Sequence, residues 1–263
     1  MRDPEPPPGF VRFTVERSTV TCAIHVADPL RRALRDGSLY SYAERHRLAR
    51  ALAGRGVVYA VPLPDETERV VVRHNHHGGL LAAVRGDVFL PPTRAPRELQ
   101  ISERLRQHGV PTPRMLGYVI YPALAGLRRV DVMTREVPSA VDLSVSLQST
   151  DPDERVRALT VTARLITALS SLGARHHDLN AKNVLVRHSD DVAREALVLD
   201  VDRVTFAEGV DGVEGAREQN LARLLRSARK WQLHHGARVT DGELETFASL
   251  VRESRGLRFN TSS

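Results

Sequence analysis

The sequence predicts an α+β fold of two lobes, a sheet-rich N-lobe followed by a helical C-lobe. Three observations carry this. Through the first half, β-branched and aromatic residues cluster in short runs, as in Arg12–Arg17, Val57–Val61 and Tyr118–Tyr121. After Pro138 the apolar residues instead recur every three or four positions, the period of a helix. Within that second half a polar loop, His176–Asn183, separates a long amphipathic stretch from a short apolar strand, and the apolar strand after that ends in acids.

Taken in order, residues 1–9 are rich in proline and charge and predict an extended, disordered arm. The N-lobe is assigned to 10–136 and the C-lobe to 137–263. Arg12–Arg17 and Thr19–Ile24 read as short strands. Asp28 followed by Pro29, Leu30 and Leu34 reads as a helix start, with Asp as N-cap and Pro at N1. Val57–Val61 and Val70–His74 continue as strands, the second stopped at Gly78–Gly79. A helix from about Pro96 to His108 is closed by Gly109, Pro111 and Pro113. Strands at Tyr118–Tyr121 and Val130–Thr134 complete the N-lobe.

In the C-lobe, Asp151-Pro152-Asp153-Glu154 predicts an N-cap, a proline at N1 and a capping box through Glu154. Val156, Leu159, Ala163, Ile166 and Leu169 then form one apolar stripe that Gly173 ends. Val184–Val186 and Leu197–Leu199 read as strands joined by the polar turn Arg187–Asp191, and helical patterns return at 217–235 and 241–254.

Composition excludes several classes. A hydrophobic share of 41% is too high for a disordered chain. One cysteine, Cys22, rules out a disulfide framework and a cysteine-based zinc site, and fits a reducing compartment. No stretch approaches ~18 uninterrupted apolar residues, so no membrane-spanning helix is expected. The N-terminus also lacks the apolar core of a signal peptide, and the chain reads as soluble and intracellular. The net charge of +6 and pI near 10.0 imply an anionic partner or substrate. Nucleic acid is not expected, since no aromatic interleaving or recognised module accompanies the charge. Of 38 basic side chains only Lys182 and Lys230 are lysines, so any role that requires lysine has two candidates.

The chemistry concentrates in His176-His-Asp-Leu-Asn-Ala-Lys-Asn183 and Asp200-Val-Asp202. Phosphoryl transfer needs a carboxylate beside the attacking hydroxyl and amide plus carboxylate oxygens for Mg²⁺. Asp178 suits the first task, and Asn183 with Asp200 the second. Identity, order and spacing match the protein-kinase pattern H-R-D-L-x-x-x-N followed by D-F-G. Such a site needs a cation for nucleotide phosphates on a strand, oriented by an acid on a helix. Arg73 in Val70–Arg73 is the best strand candidate, although the usual residue is lysine. Glu98 shares an apolar face with Ile101 and Leu105, where a charge is rare unless paired, and Arg73 is its natural partner. Gly54-Arg55-Gly56 reads either as a shortened phosphate-covering loop or as an ordinary hairpin turn. His74, His76 and His77 are expected to form a polar, partly cationic lip beside Arg73, and no zinc site is expected from them, from His176/His177 or from His234/His235. Residues 219–230 read either as an amphipathic helix with a solvated basic edge or as a surface for anionic substrate or phospholipid headgroups.

From about Gly54 to Lys230 the chain resembles the 3-deoxy-D-manno-octulosonic acid (Kdo) kinase and lipopolysaccharide heptose kinase family of the protein-kinase-like superfamily. The carriers are Gly54-Arg-Gly-Val-Val-Tyr59, Val72-Arg-His-Asn-His-His-Gly-Gly-Leu80, Arg97-Glu98, Pro111-Thr-Pro-Arg114, His176–Asn183, Asp200-Val-Asp-Arg203 and Asn220-Leu-Ala-Arg-Leu224. Val201 stands where that family has an aromatic, and His77 in a stretch usually richer in Arg. The resemblance implies an ATP-dependent kinase acting on a sugar hydroxyl of a Kdo-lipid A precursor at the cytoplasmic face of the inner membrane, in peripheral contact with an anionic surface. It implies Asp178 as base, Asn183 and Asp200 as Mg²⁺ ligands, and an Arg at the position of Arg73. A different small-molecule kinase, aminoglycoside- or choline-kinase-like, and a pseudokinase binding module remain open readings, as does the oligomeric state.

Overall fold

The computed structural model describes residues 4–52, 57–75 and 88–254. Gly54, Arg55, Gly56, His76, His77 and Gly78–Gly79 lie outside them. The chain divides into two compact units, Met1–Glu103 with Pro113–Glu136, and Arg104–Thr112 with Val137–Ser263.

The first unit is built on a seven-stranded antiparallel sheet. Its strands are β1 (Phe10–Val15), β2 (Ser18–Ala23), β3 (Arg50–Leu52), β4 (Val58–Pro62), β5 (Arg69–His74), β6 (Met115–Pro122) and β7 (Arg128–Arg135), in the order β1-β2-β6-β7-β5-β4-β3. Helices α1 (Ala27–Ala33), α2 (Leu39–Arg45) and the first turns of α3 (Ala95–Gln107) accompany it. Leu30 and Leu39 from the helices meet Val72, Tyr118 and Met133 from the strands in one buried core. Asp28 is not the N-cap of α1: the helix starts two residues earlier than expected, at Ala27 after Val26, without a side-chain cap. Ser38 does cap α2, its Oγ accepting the Ser41 N–H at 3.0 Å. The expected stop of α3 is in place, with Gly109 at φ +72° and the Val110 N–H donating to the Leu105 carbonyl at 2.9 Å. The proline-rich start is tied to β1, since the Phe10 N–H donates to the Pro7 carbonyl at 3.1 Å and Arg12 Nη2 to the Pro4 carbonyl at 2.5 Å. Cys22 is fully buried in β2, and burial pushes its thiol up to about 12 against a smaller opposing pull from Arg31.

The second unit is mainly helical. Its elements are β8 (Ala140–Asp142), α4 (Leu143–Ser146), α5 (Pro152–Ser171), β9 (Ala174–His176), β10 (Val184–Ser189), β11 (Val192–Val198), β12 (Val204–Phe206), α6 (Gly209–His234) and α7 (Asp241–Glu253). β11-β10-β8 form one small sheet and β12-β9 another. Helix α5 packs against β11, α6 and α7. Asp151 caps α5 through the Asp153 N–H at 2.9 Å, but Glu154 accepts from the Ser149 hydroxyl, so the capping box expected there is absent. The capping box of this unit is Thr240 with Glu243, at the start of α7. Leu159, Ala163, Ile166 and Leu169 are buried as expected, whereas Val156, in the second turn, is exposed. The β10–β11 turn is only Asp190–Asp191, both at positive φ, because the strands run further than Val186 suggests. Helix α6 begins eight residues before the expected 217.

Candidate active site

His176 ends β9, and the loop after it is fixed by its own backbone and by two neighbouring elements. The His176 ring is buried. Its Nδ1 accepts the Asp178 N–H at 3.2 Å, so the ring proton sits on Nε2, which donates to the Leu199 carbonyl at 2.9 Å. Asn183 closes the loop from the other end, its Nδ2 donating to the Asp178 carbonyl at 2.8 Å. The Leu199 N–H donates to the Asn183 carbonyl at 2.9 Å, extending the β10–β11 pairing of Val184 with Val198. Asp200 follows at once, in the left-handed region at φ +51°, and so leaves the strand sharply. The structure thus brings Asp178, Asn183 and Asp200 together around one histidine.

The side chains are presented differently from the backbone that holds them. Asp178 and Asp200 are exposed, while Asn183 is buried. With its Nδ2 committed to Asp178, Asn183 keeps Oδ1 as its remaining acceptor. Asn180 caps the short 3₁₀ turn 181–183, its Oδ1 accepting from the Lys182 N–H at 2.9 Å, and its Nδ2 steadies the Asp178 carbonyl at 2.9 Å. Among the described residues there is no group of three His, Cys, Asp or Glu side chains able to hold a metal ion. His177 is exposed and bonds to the Thr205 hydroxyl at 2.7 Å.

In the first unit, Arg73 on β5 donates to Glu98 on α3, Nη2 to Oε1 at 2.5 Å. Glu98 is only 7% exposed, so its charge is buried and matched. His74 is not part of a lip beside Arg73. Its ring turns to the buried Asp131, Nδ1 donating to Oδ1 at 2.5 Å, because neighbouring strand residues point to opposite faces of the sheet.

The Lipopolysaccharide kinase (Kdo/WaaP) family profile matches residues 41–246, which take in every residue above. The chain belongs to that family. Among its relatives, the 3-deoxy-D-manno-octulosonic acid kinase of Actinobacillus succinogenes is 32% identical over 203 residues, covering 75% of this chain and 81% of that protein. The enzyme of the same name from Stenotrophomonas maltophilia is 31% identical over 209 residues, covering 76% and 75%. A solved structure of WaaP in complex with acyl carrier protein matches with a TM-score of 0.53 at 18% identity, over 86% of this chain and 87% of that one. This last likeness shows the fold alone: α+β and kinase-like, as the sequence predicts.

Two side chains of this Kdo/WaaP family member support the loop, although the sequence reading takes Asn220 only as a carrier of the resemblance and gives Ser227 no task. Asn220 of α6 is fully buried, accepting the His176 N–H at 3.0 Å and donating to the Ala174 carbonyl at 2.8 Å. Ser227, two turns on, accepts the Ala181 N–H at 3.0 Å. The signal for Asn220 is an amide in the stripe Arg217, Leu221, Leu224, Ala228, where burial demands partners. Ser227 carries no such signal.

The His176 ring titrates below its ordinary 6.5, chiefly because burial disfavours the charged form, with smaller opposing pulls from the Leu199 carbonyl and from Asp200, Asp178 and Asp202. An NMR titration should find this imidazole still neutral where free histidine is protonated. The unfolded chain takes up that proton near 6.5 and the folded chain does not, so stability falls as pH drops below about 6.5 and levels off once the folded ring is also charged. A midpoint at or above 6.5 would contradict the single-proton arrangement described here.

Proposed function

We propose that this chain transfers the γ-phosphoryl group of ATP to a sugar hydroxyl of Kdo carried on a lipid A precursor, working as a peripheral protein at the cytoplasmic face of the inner membrane. The observation that carries the reading is the clamped loop 176–183, in which the Asp178 N–H and carbonyl are both held while its exposed carboxylate receives only Asn180 Nδ2 at 3.5 Å, in a chain of the Kdo/WaaP family.

In this reading Asp178 orients the acceptor hydroxyl and takes its proton as the phosphoryl group moves. His176 and Asn183 hold the Asp178 backbone and so set where that carboxylate stands. Asn183 Oδ1 and the Asp200 carboxylate are hard oxygen donors, and Mg²⁺ commonly needs only one or two such side chains beside phosphate and water oxygens. The donor set therefore fits magnesium, which when bound supplies charge neutralisation for the triphosphate. Arg73, held by Glu98, supplies positive charge to nucleotide phosphates.

Purified protein incubated with labelled ATP and Kdo-lipid A precursor should yield one added phosphate on the sugar, located by mass spectrometry. Turnover on soluble amino-alcohols or aminoglycosides with none on the Kdo acceptor would overturn the substrate assignment.

A further inference from the structure

Helix α6 has two unlike faces. Arg217, Asn220, Leu221, Leu224 and Ala228 are buried within the second unit. On the other side, Leu225, Arg226, Arg229, Lys230, Leu233 and His234 follow at helical spacing and line one shallow groove. From Gln219 to His235 the chain carries Arg223, Arg226, Arg229 and Lys230 and no acid at all. Elsewhere in this unit Arg155, Arg187, Arg217 and Arg252 sit on Glu243, Glu195, Glu214 and Glu218. None of the four cations of the α6 face has a carboxylate partner among the described residues. Beside them Leu233 is 75% exposed, a large apolar side chain set among cations.

That composition selects one kind of partner. Long basic side chains can lie along a surface with their charges at the headgroups, while a leucine between them enters the acyl boundary. An acidic protein would offer carboxylates at fixed positions and would leave Leu233 needing a pocket. The spacing from Leu225 to His234 runs about 14 Å along the axis, enough to engage several headgroups at once.

The same helix holds the reactive loop. Ser227 accepts the Ala181 N–H, Asn220 binds the His176 N–H, and the Trp231 ring lies 5.5 Å from Lys182 Nζ. We propose that the Leu225–His234 face of α6 is the surface on which this chain docks to a bilayer bearing anionic headgroups. Docking through α6 then fixes the loop carrying Asp178 relative to the surface that holds the acceptor. The inference rests on the reading of a lipid-borne acceptor given above.

The test is flotation of the full chain with vesicles of phosphatidylcholine alone and of phosphatidylcholine with phosphatidylglycerol. The wild-type chain should float only with the anionic vesicles, and raised salt should release it. Arg226→Glu combined with Arg229→Glu should weaken that binding about 30-fold or more, at roughly fivefold for each charge lost. Leu233→Ser should weaken it about tenfold. Both variants should keep the wild-type thermal transition, since all three side chains are exposed. Equal binding to neutral vesicles, or undiminished binding by the double variant, would overturn the proposal. So would an acidic protein retained by the wild type in place of vesicles. Turnover of a deacylated, water-soluble acceptor reports separately on the functional reading: turnover without vesicle binding rejects the docking surface alone. Vesicle binding that the double variant loses, without turnover on either acceptor, supports the surface and rejects the substrate.

Discussion

On the role proposed for Asp178, Asp178→Asn should remove phosphoryl transfer and leave the fold in place. The substitution keeps the shape of the side chain and deletes its capacity to take a proton, a loss of about 10²- to 10⁴-fold or more in kcat. The fold does not depend on that carboxylate. Asp178 contributes to the loop through its N–H and its carbonyl, while its side chain is exposed and receives only the distant Asn180 Nδ2 at 3.5 Å. The thermal transition should therefore move by no more than about 0.5 kcal/mol of stability. Steady-state kinetics with labelled ATP, paired with calorimetry of both proteins, check the two halves together. A variant as active as the parent would remove Asp178 from the mechanism.

Asp131→Ala should do the reverse and damage the first unit's stability. Asp131 is fully buried in β7, and its Oδ2 accepts from the Tyr121 hydroxyl and from the Tyr40 N–H, each at 2.9 Å, while Oδ1 accepts from His74. The Tyr121 oxygen in turn accepts the Leu39 N–H at 2.8 Å, so one carboxylate pins the start of α2 to β5, β6 and β7. Burial, reinforced by the Asp131 charge, holds the Tyr121 hydroxyl well above its ordinary 10 and keeps it a donor to that carboxylate. Truncation strands an amide, a phenol and an imidazole in an apolar core, a cost of about 3–5 kcal/mol. Thermal unfolding should shift down by roughly 6–20 °C. Asp131→Asn, which retains an acceptor oxygen, should fall between the two, and a shift of under 2 °C for the alanine variant would show that the network is not needed.

The sequence announces the reactive loop more clearly than it announces its supports. Asp178, Asn183 and Asp200 are legible because the chemistry proposed for them would fix both their types and their spacing. Glu98 and Arg73 are legible for a different reason: a charge on an apolar helix face must find a partner, and a strand arginine is within reach. Asp131 escapes notice because Val130-Asp-Val-Met-Thr134 reads as ordinary alternation, in which a polar residue is assigned to water; only the neighbouring Tyr121 and the start of α2 reveal that this face is covered. Helix α2 and strand β3 are too short for periodicity to declare them. The first two turns of α6 are hidden by Gly209, Gly212 and Gly215, which argue against a helix locally. Gly212 is there for closeness, since a Cβ would stand 3.1 Å from Ala207, and Gly173 for the same reason more severely, with φ +65° and the Ala207 carbonyl oxygen 2.0 Å from any added carbon. Such packing is a property of the assembled unit and leaves only a glycine in the sequence.

The lone sulfhydryl has a practical corollary. Sealed in β2 and titrating near 12, Cys22 is closed to maleimides and nitroxides while the protein is folded. Any cysteine placed on the outside becomes the sole reporter, so Leu233→Cys with a spin label would read immersion depth directly, with no need to silence a background thiol first.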